Sequence, residues 1–258
     1  MSDVHASAIV DPRAQLADDV VVGPFAVVGP DVTLGEGVAL SPGAQVTGHT
    51  RIGARTQIFP YAVVGESPMD KKFSGETSYL EIGCDNVIRE HATVHVGTEK
   101  GGGVTRIGDD NLIMNGVHVA HDAKVGNHII LASFVGLAGH VVIEDYAVLG
   151  AYCAVHQFAR VGESVMAAAN TMLAQDAPPF ALMAGDRAHL AGINVVGLKR
   201  RGFGPEIRRA IKHAYHVLFS SKLLLADAIA RLKEEGGDSE EVARLLRFLE
   251  TSERGIAR

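Results

Sequence analysis

An aliphatic residue recurs at every sixth position of this chain. The slots run unbroken from Val10 to Val64, resume at Ile82, Ile88 and Val94, and run again from Ile107 to Leu173. Twenty-four of these twenty-five slots are Val, Ile or Leu, with Ala167 the one lapse, so the pattern is not accidental. Two residues before the slot stand small or branched residues such as Ala26, Ala44, Ala62, Ala92, Ala123 and Ala147. Glycine often follows the slot, as at Gly23, Gly53, Gly108, Gly126 and Gly150, where a turn calls for a permissive backbone. A period of six fits neither a helix nor a heptad seam. It fits a short strand followed by a tight bend, stacked so that the aliphatics form one inner column. Three sextets close a triangular coil, which predicts a parallel β-helix solenoid.

Two polar insertions break the phase. One reads ESPMDKKFSGETSYL at about residues 66–80, the other TEKGGGV at about 98–104. Insertions in a solenoid become loops on one face, where function concentrates. The triple glycine is no phosphate loop, because no Gly-Lys-Ser/Thr follows it, and it reads as a flexible excursion. After Asp176 the repeat stops at Pro178-Pro179. From Pro205, the spacing of Ile207, Ala210, Ile211, Ala214, Tyr215 and Leu218 is helical, and Pro suits a first helical position. Further helices are predicted over Lys222 to Glu235 and from about Glu240, the latter with Asp238 and Glu241 as a capping box. The chain therefore divides into a solenoid over 1–190 and a helical domain over 191–258.

Composition adds to this picture. The chain has 258 residues, 47% of them hydrophobic but only 5% aromatic, so a large core must be built from small and branched aliphatics. Cys84 and Cys153 have no paired spacing, which suggests neither a disulfide framework nor a cysteine zinc site and points to the reducing cytoplasm. The first thirty residues hold four Asp and no apolar block, unlike a signal peptide, and no apolar stretch is long enough for a membrane span. The net charge of −6 is uneven: Arg187 to His216 carries seven Lys or Arg against Glu206 alone, leaving the remainder at −12. A basic segment on an acidic protein favours a phosphorylated ligand or acidic partner over general nucleic-acid binding.

Of the twelve histidines, His118, His121, His140 and His156 stand apart. In an eighteen-residue coil His121, Gly139 and Gln157 stack in one column, with His140 and His156 beside it. Asp122 follows His121 and can hold its imidazole in one tautomer, as carboxylates do in catalytic triads. Such a base takes a proton from a hydroxyl or amine, while Gly139 lets a reacting group approach a backbone N–H. No Ser or Cys nucleophile occupies the column, which favours direct attack over a covalent acyl-enzyme. Two other readings use the same residues. One is a zinc site, since hexapeptide-repeat carbonic anhydrases bind zinc through three histidines between subunits. The other is a silent scaffold with decorative histidines.

The motifs GPFAVVGP (23–30), MDKKFSGE (69–76), GGGVTRIGDDNLIMNGVHVAHD (101–122), LAGHV (137–141), AVHQF (154–158), AQDAPPF (174–180) and GLKRRGF (197–203) span almost the whole chain. Together they resemble the hexapeptide-repeat acyl-[acyl-carrier-protein]:UDP-N-acetylglucosamine O-acyltransferases of bacterial lipid A biosynthesis. The resemblance implies a mainly β fold, a left-handed parallel β-helix with a C-terminal α-helical domain, assembled as a homotrimer with sites between subunits. It implies that His121, oriented by Asp122, deprotonates the sugar 3-hydroxyl for attack on a hydroxyacyl thioester, and that Gly139 supplies an oxyanion N–H. Asp70, Lys72, His118, His140, His156 and Gln157 would position sugar, phosphates and acyl chain. Asn194 would meet the nucleoside, and Arg200 and Arg201 the phosphates. No metal or other cofactor is implied, and the basic segment would offer a surface to the acyl carrier protein. Some relatives acylate a 3-amino sugar instead, so N-acylation is an alternative. Two positions depart from the pattern: Val196 stands where well-known members have Glu, and Ala169 where Gly commonly lies near the end of the acyl groove.

Overall fold

Two-residue strands carry most of the repeat. The second residue of each is the aliphatic slot and points inward, so that Leu131, Leu137, Leu149 and Val161 are fully buried. The residue two before the slot is buried too: Ala26, Ala44, Ala62, Ala123 and Ala147 fill the narrow interior between larger aliphatics. Each large side chain so buried contributes about 1.5–3 kcal/mol. In the computed structural model, which describes residues 2–235 and 239–258, these strands stack in parallel register, with Leu131 beside Leu149 and Leu137 beside Val155. Three faces result, with eleven, nine and eight strands among the described residues, here called the first, second and third faces.

The insertions leave the register intact. Ile58 pairs with Ile88 and Ile88 with Ile113, offsets of thirty and twenty-five instead of eighteen, so twelve and seven residues are looped out. The strand Val63–Glu66 runs into the first insertion, and Val104–Ile107 resumes the third face after the second. Buried polar residues in the interior pair with one another: Asn111 Nδ2 donates to Asn86 Oδ1 at 2.9 Å and to Gly126 O at 3.0 Å.

The reason for the glycines differs from the expected one. The residue with left-handed backbone lies three before the slot and is mostly not glycine, as at Phe25, Tyr61, Asp85, Asp122, His140 and Phe158. Glycine after the slot answers to crowding between coils. A side-chain carbon at Gly53 would lie 2.6 Å from the carbonyl carbon of Gly83, and one at Gly150 2.6 Å from Ala169 N.

The expected boundary after residue 190 is corrected by the structure, because strand His189–Ile193 runs across it. Ala181–Ala184 extends the first face in parallel beside Met166–Ala167, and His189–Ile193 then pairs with it antiparallel. The switch to helix comes at Asn194, which caps α1 (Val195–Arg200), a helix the periodicity missed because it is too short for a pattern. α2 (Pro205–Tyr215) continues as a π-helical stretch over His216–Ser220, and α3 spans Leu225–Glu234. Asp238 of the expected capping box lies outside the described residues. α4 (Glu240–Glu250) is capped by Ser239, whose Oγ accepts from Val242 N at 3.4 Å. The helices dock through buried groups: Tyr215 Oη donates to Pro179 O at 2.5 Å, and the buried Glu163 of the solenoid meets both Arg201 and Arg244.

Candidate active site

The corner between the second and third faces gathers the chemistry. His118–Val119 is a second-face strand and Lys124–Val125 a third-face strand, so the link His121-Asp122 forms a bend in which Asp122 takes φ +60°. That conformation turns the Asp122 side chain under the corner, where it is 3% exposed. His121 Nδ1 lies 2.8 Å from Asp122 Oδ2. A carboxylate only accepts, so Nδ1 carries the hydrogen and the Nε2 lone pair is left for a substrate. The Asp122 carboxylate also accepts Thr98 N at 2.9 Å on Oδ1 and the Thr98 hydroxyl at 2.7 Å on Oδ2.

One coil on, Gly139 lies beneath the His121 ring, so close that a side-chain carbon there would sit 2.7 Å from Cε1. Its N–H makes no hydrogen bond among the described residues, while its carbonyl accepts Phe158 N at 3.2 Å. His140 meets His121 edge to face at 5.2 Å, stacks on Phe158 at 4.4 Å, and places Nε2 3.8 Å from Asp122 Oδ2. His118 Nδ1 bonds Thr93 Oγ1 at 2.8 Å, and its ring packs against His95. His95, which the periodicity did not single out, bonds Ser67 O at 2.7 Å and ties the first insertion to the site. Asp70 in that insertion lies near enough for its charge to act on His140, whereas Lys72 is exposed.

Beside this corner the outward column of the second face narrows from His118 to Gly136 and Ala154, which follow it in register, before widening again at Met172. The result is an open groove of about 790 Å³ whose lining includes Ala138, Ala154, His156, Met172, Arg187 and Arg254. His156 joins this groove rather than the imidazole cluster, with Nδ1 3.0 Å from Arg254 Nη2. Gln157 is exposed beside it, and Ala169 is exposed at the corner between the first and second faces.

Asn194 and Arg201 lie elsewhere in the protomer. Asn194 Nδ2 donates to Ser164 O at 2.9 Å and its Oδ1 accepts Gly197 N at 2.9 Å, so its amide caps α1. Arg201 bonds Glu163 Oε1 and Ser164 Oγ, each at 2.5 Å, and stacks on Tyr146. Both meet the corner between the third and first faces. Arg200 and Val196 are exposed on α1.

The cluster of His121, Asp122 and His140 has metal-ligand atoms within 4.8 Å of one another. Its donor set suits a proton relay better than a cation, since both Asp122 oxygens already accept hydrogen bonds and one of them holds His121 Nδ1. Burial holds the His118 imidazole below its ordinary value, and the charges of His95 and His121 act in the same direction. A group lowered in this way binds fewer protons folded than unfolded. Its contribution to stability is present above the ordinary value of about 6.5 and is lost as pH falls below it. His118→Gln should therefore flatten the fall in Tm between about pH 7 and about pH 5. An unchanged slope would count against this account.

Comparison with known proteins places the whole chain. Residues 4–48 and 105–139 match the bacterial transferase hexapeptide model, and residues 176–257 match the second-domain model of UDP-N-acetylglucosamine O-acyltransferase. An acyl-[acyl-carrier-protein]–UDP-N-acetylglucosamine O-acyltransferase of Paraburkholderia xenovorans is 49% identical over 100% of both chains. One of Thermodesulfovibrio yellowstonii is 44% identical, again over 100% of both. The solved UDP-N-acetylglucosamine acyltransferase of Francisella novicida superposes with a TM-score of 0.96 at 40% identity, covering 99% of this chain and 94% of that one. The Campylobacter jejuni enzyme gives 0.94 at 40% identity, covering 99% of each. The fold is accordingly a left-handed parallel β-helix with a C-terminal helical domain. Relatives 44–49% identical over the full length of both chains leave one conclusion: the chain belongs to the acyl-[acyl-carrier-protein]–UDP-N-acetylglucosamine O-acyltransferase family.

Proposed function

We propose that the protein transfers a 3-hydroxyacyl chain from acyl carrier protein to the 3-hydroxyl of UDP-N-acetylglucosamine, the first step of lipid A biosynthesis. The observation that carries this reading is the His121 ring, held by Asp122 and standing over Gly139. His121 Nε2 takes the proton of the sugar hydroxyl as its oxygen attacks the thioester carbonyl carbon. The negative charge moves to the carbonyl oxygen, where the Gly139 N–H stabilises it; one such donor is worth about 10² to 10³ in rate. Collapse re-forms the carbonyl and breaks the C–S bond, and the departing thiolate takes the proton from the imidazolium.

The groove beside Ala138, Ala154 and Ala174 supports a place for the acyl chain, because it is open and much of its lining is small or apolar. His118, His140, His156, Gln157, Asp70 and Lys72 border the corner, the groove or the first insertion, which suits positioning of substrate. Asn194, Arg200 and Arg201 act on the nucleotide in this reading. Since Asn194 and Arg201 meet a different corner from His121, a complete site needs a neighbouring subunit, which favours the homotrimer. Arg201 is engaged with the corner through Glu163, which it shares with Arg244, so the exposed Lys199, Arg209 and Lys212 carry the attraction for the acidic carrier protein. Among the described residues no helix is long and apolar enough to cross a membrane, and both cysteines are free, which fits a cytoplasmic enzyme.

The test is an assay of the purified protein with UDP-N-acetylglucosamine, its 3-amino analogue and carrier-protein thioesters of ten, twelve and fourteen carbons. The expected product is the O-acyl sugar nucleotide. Turnover of the amino analogue alone would establish the N-acyl alternative instead. In this reading the exposed methyl of Ala169, where the family commonly has Gly, limits the acyl chain and should favour the shorter donors, and preference for the fourteen-carbon chain would sink that expectation.

A further inference from the structure

We infer that Thr98 is a positioning residue for this reaction, the group that aims the Asp122 carboxylate at His121. The inference rests on the base assignment above and goes one residue further back along the relay. Thr98 opens the second insertion. Far from being a flexible excursion, Glu99–Gly101 fold into a turn of 3-10 helix that closes over the Asp122 corner. Thr98 and Asp122 are both buried, 5% and 3% exposed.

The direction of each hydrogen bond follows from what each atom can do. Gly101 N–H donates to Thr98 Oγ1 at 3.2 Å, and Thr98 Oγ1 lies 2.7 Å from Asp122 Oδ2. A carboxylate has no hydrogen to give, so the single hydroxyl proton of Thr98 points at Asp122. Thr98 N–H donates to the other oxygen at 2.9 Å, gripping the carboxylate at two points. On the backbone side, Asp122 N donates to Thr105 Oγ1 at 2.8 Å. Asp122 is thus held from both ends by threonines, and Oδ2 keeps the direction needed to accept His121 Nδ1–H. This sets the imidazole tautomer, with the Nε2 lone pair over Gly139. Gly101 completes the device by what it lacks: a side-chain carbon there would fall on the Asp122 carboxylate.

A merely structural cap on the loop would predict loss of stability without a specific loss of turnover. The two roles separate in Thr98→Val and Thr98→Ser, made in the full chain and assayed for kcat, both KM values and Tm. Charge-assisted hydrogen bonds are the strong ones, so Thr98→Val should lower kcat about tenfold or more with each KM within about twofold. Thr98→Ser, which keeps the hydroxyl, should restore most of the turnover. In the unaltered protein, nitrogen NMR of the His121 ring should find the hydrogen on Nδ1. Thr98→Val at full kcat, equal losses in the Val and Ser variants, or a hydrogen resident on Nε2 would each overturn the inference. Should Thr98→Val fail to fold, Thr98→Ala takes its place and the tautomer of the unaltered protein decides. Retained activity in His121→Ala would instead remove the base assignment on which the inference stands, and so is distinguishable from failure at Thr98.

Discussion

His121→Ala lowers kcat by about 10² to about 10⁴ and leaves the solenoid folded, if His121 is the general base. The size follows from the loss of proton removal in the transition state, since no other imidazole replaces it: His140 places its Nε2 toward Asp122, and His118 Nδ1 is committed to Thr93. The fold survives because the solenoid interior at this corner is filled by Ala123 and Val125, while the largely covered His121 ring packs against Gly139 and His140 outside that interior. Steady-state rates together with a thermal melt read both halves of the expectation. Activity within a few-fold of the parent would discard the base assignment, and a collapsed Tm would discard the claim that the ring is not structural.

Gly139→Ala carries the second large effect. Its methyl would lie 2.7 Å from Cε1 and 2.8 Å from Nε2 of His121, so the ring must move. Gly139 does not have left-handed backbone, which means that alanine costs no conformational strain and the fold should persist. The ring moves off its line to the substrate while the N–H below it is shielded. The expected loss is about 10² or more in kcat, the scale on which misplaced catalytic groups and oxyanion donors act. Gly136→Ala is the contrast, because a carbon there meets nothing within 4 Å and leaves the ring undisturbed. It should cost far less, and equal losses in the two variants would undo the argument.

The difference between these glycines could not be read from the repeat. Both lie on the same coil, yet one has open space beside it and the other supports an imidazole. The same holds for the insertions. Their polarity and length marked Glu66 and Thr98 as starting points of loops, but what the loops do depends on where they land. The second lands with Thr98 on Asp122, and the first is fastened by Ser67 to His95. Neither contact follows a period, because each joins a residue outside the hexads to one within them. Glu163 was missed for a related reason: a lone acid on a coil looks like solvated surface until Arg201 and Arg244 of the helical domain close over it.

What the amino-acid order determined alone is the solenoid and the column of His121, Gly139 and Gln157. A strict six-residue period converts position along the chain directly into face and height, so stacking follows by arithmetic. The tertiary structure decided the rest. It drew His156 away to Arg254, set Asn194 and Arg201 against a corner remote from His121, and turned the glycine-rich insertion into a clamp whose buried Thr98 grips Asp122. Each of these outcomes depends on which donors and acceptors meet once loops and helices pack on the coil. Burial requires those groups to find partners, and the identity of a partner distant in the chain is settled only by the fold.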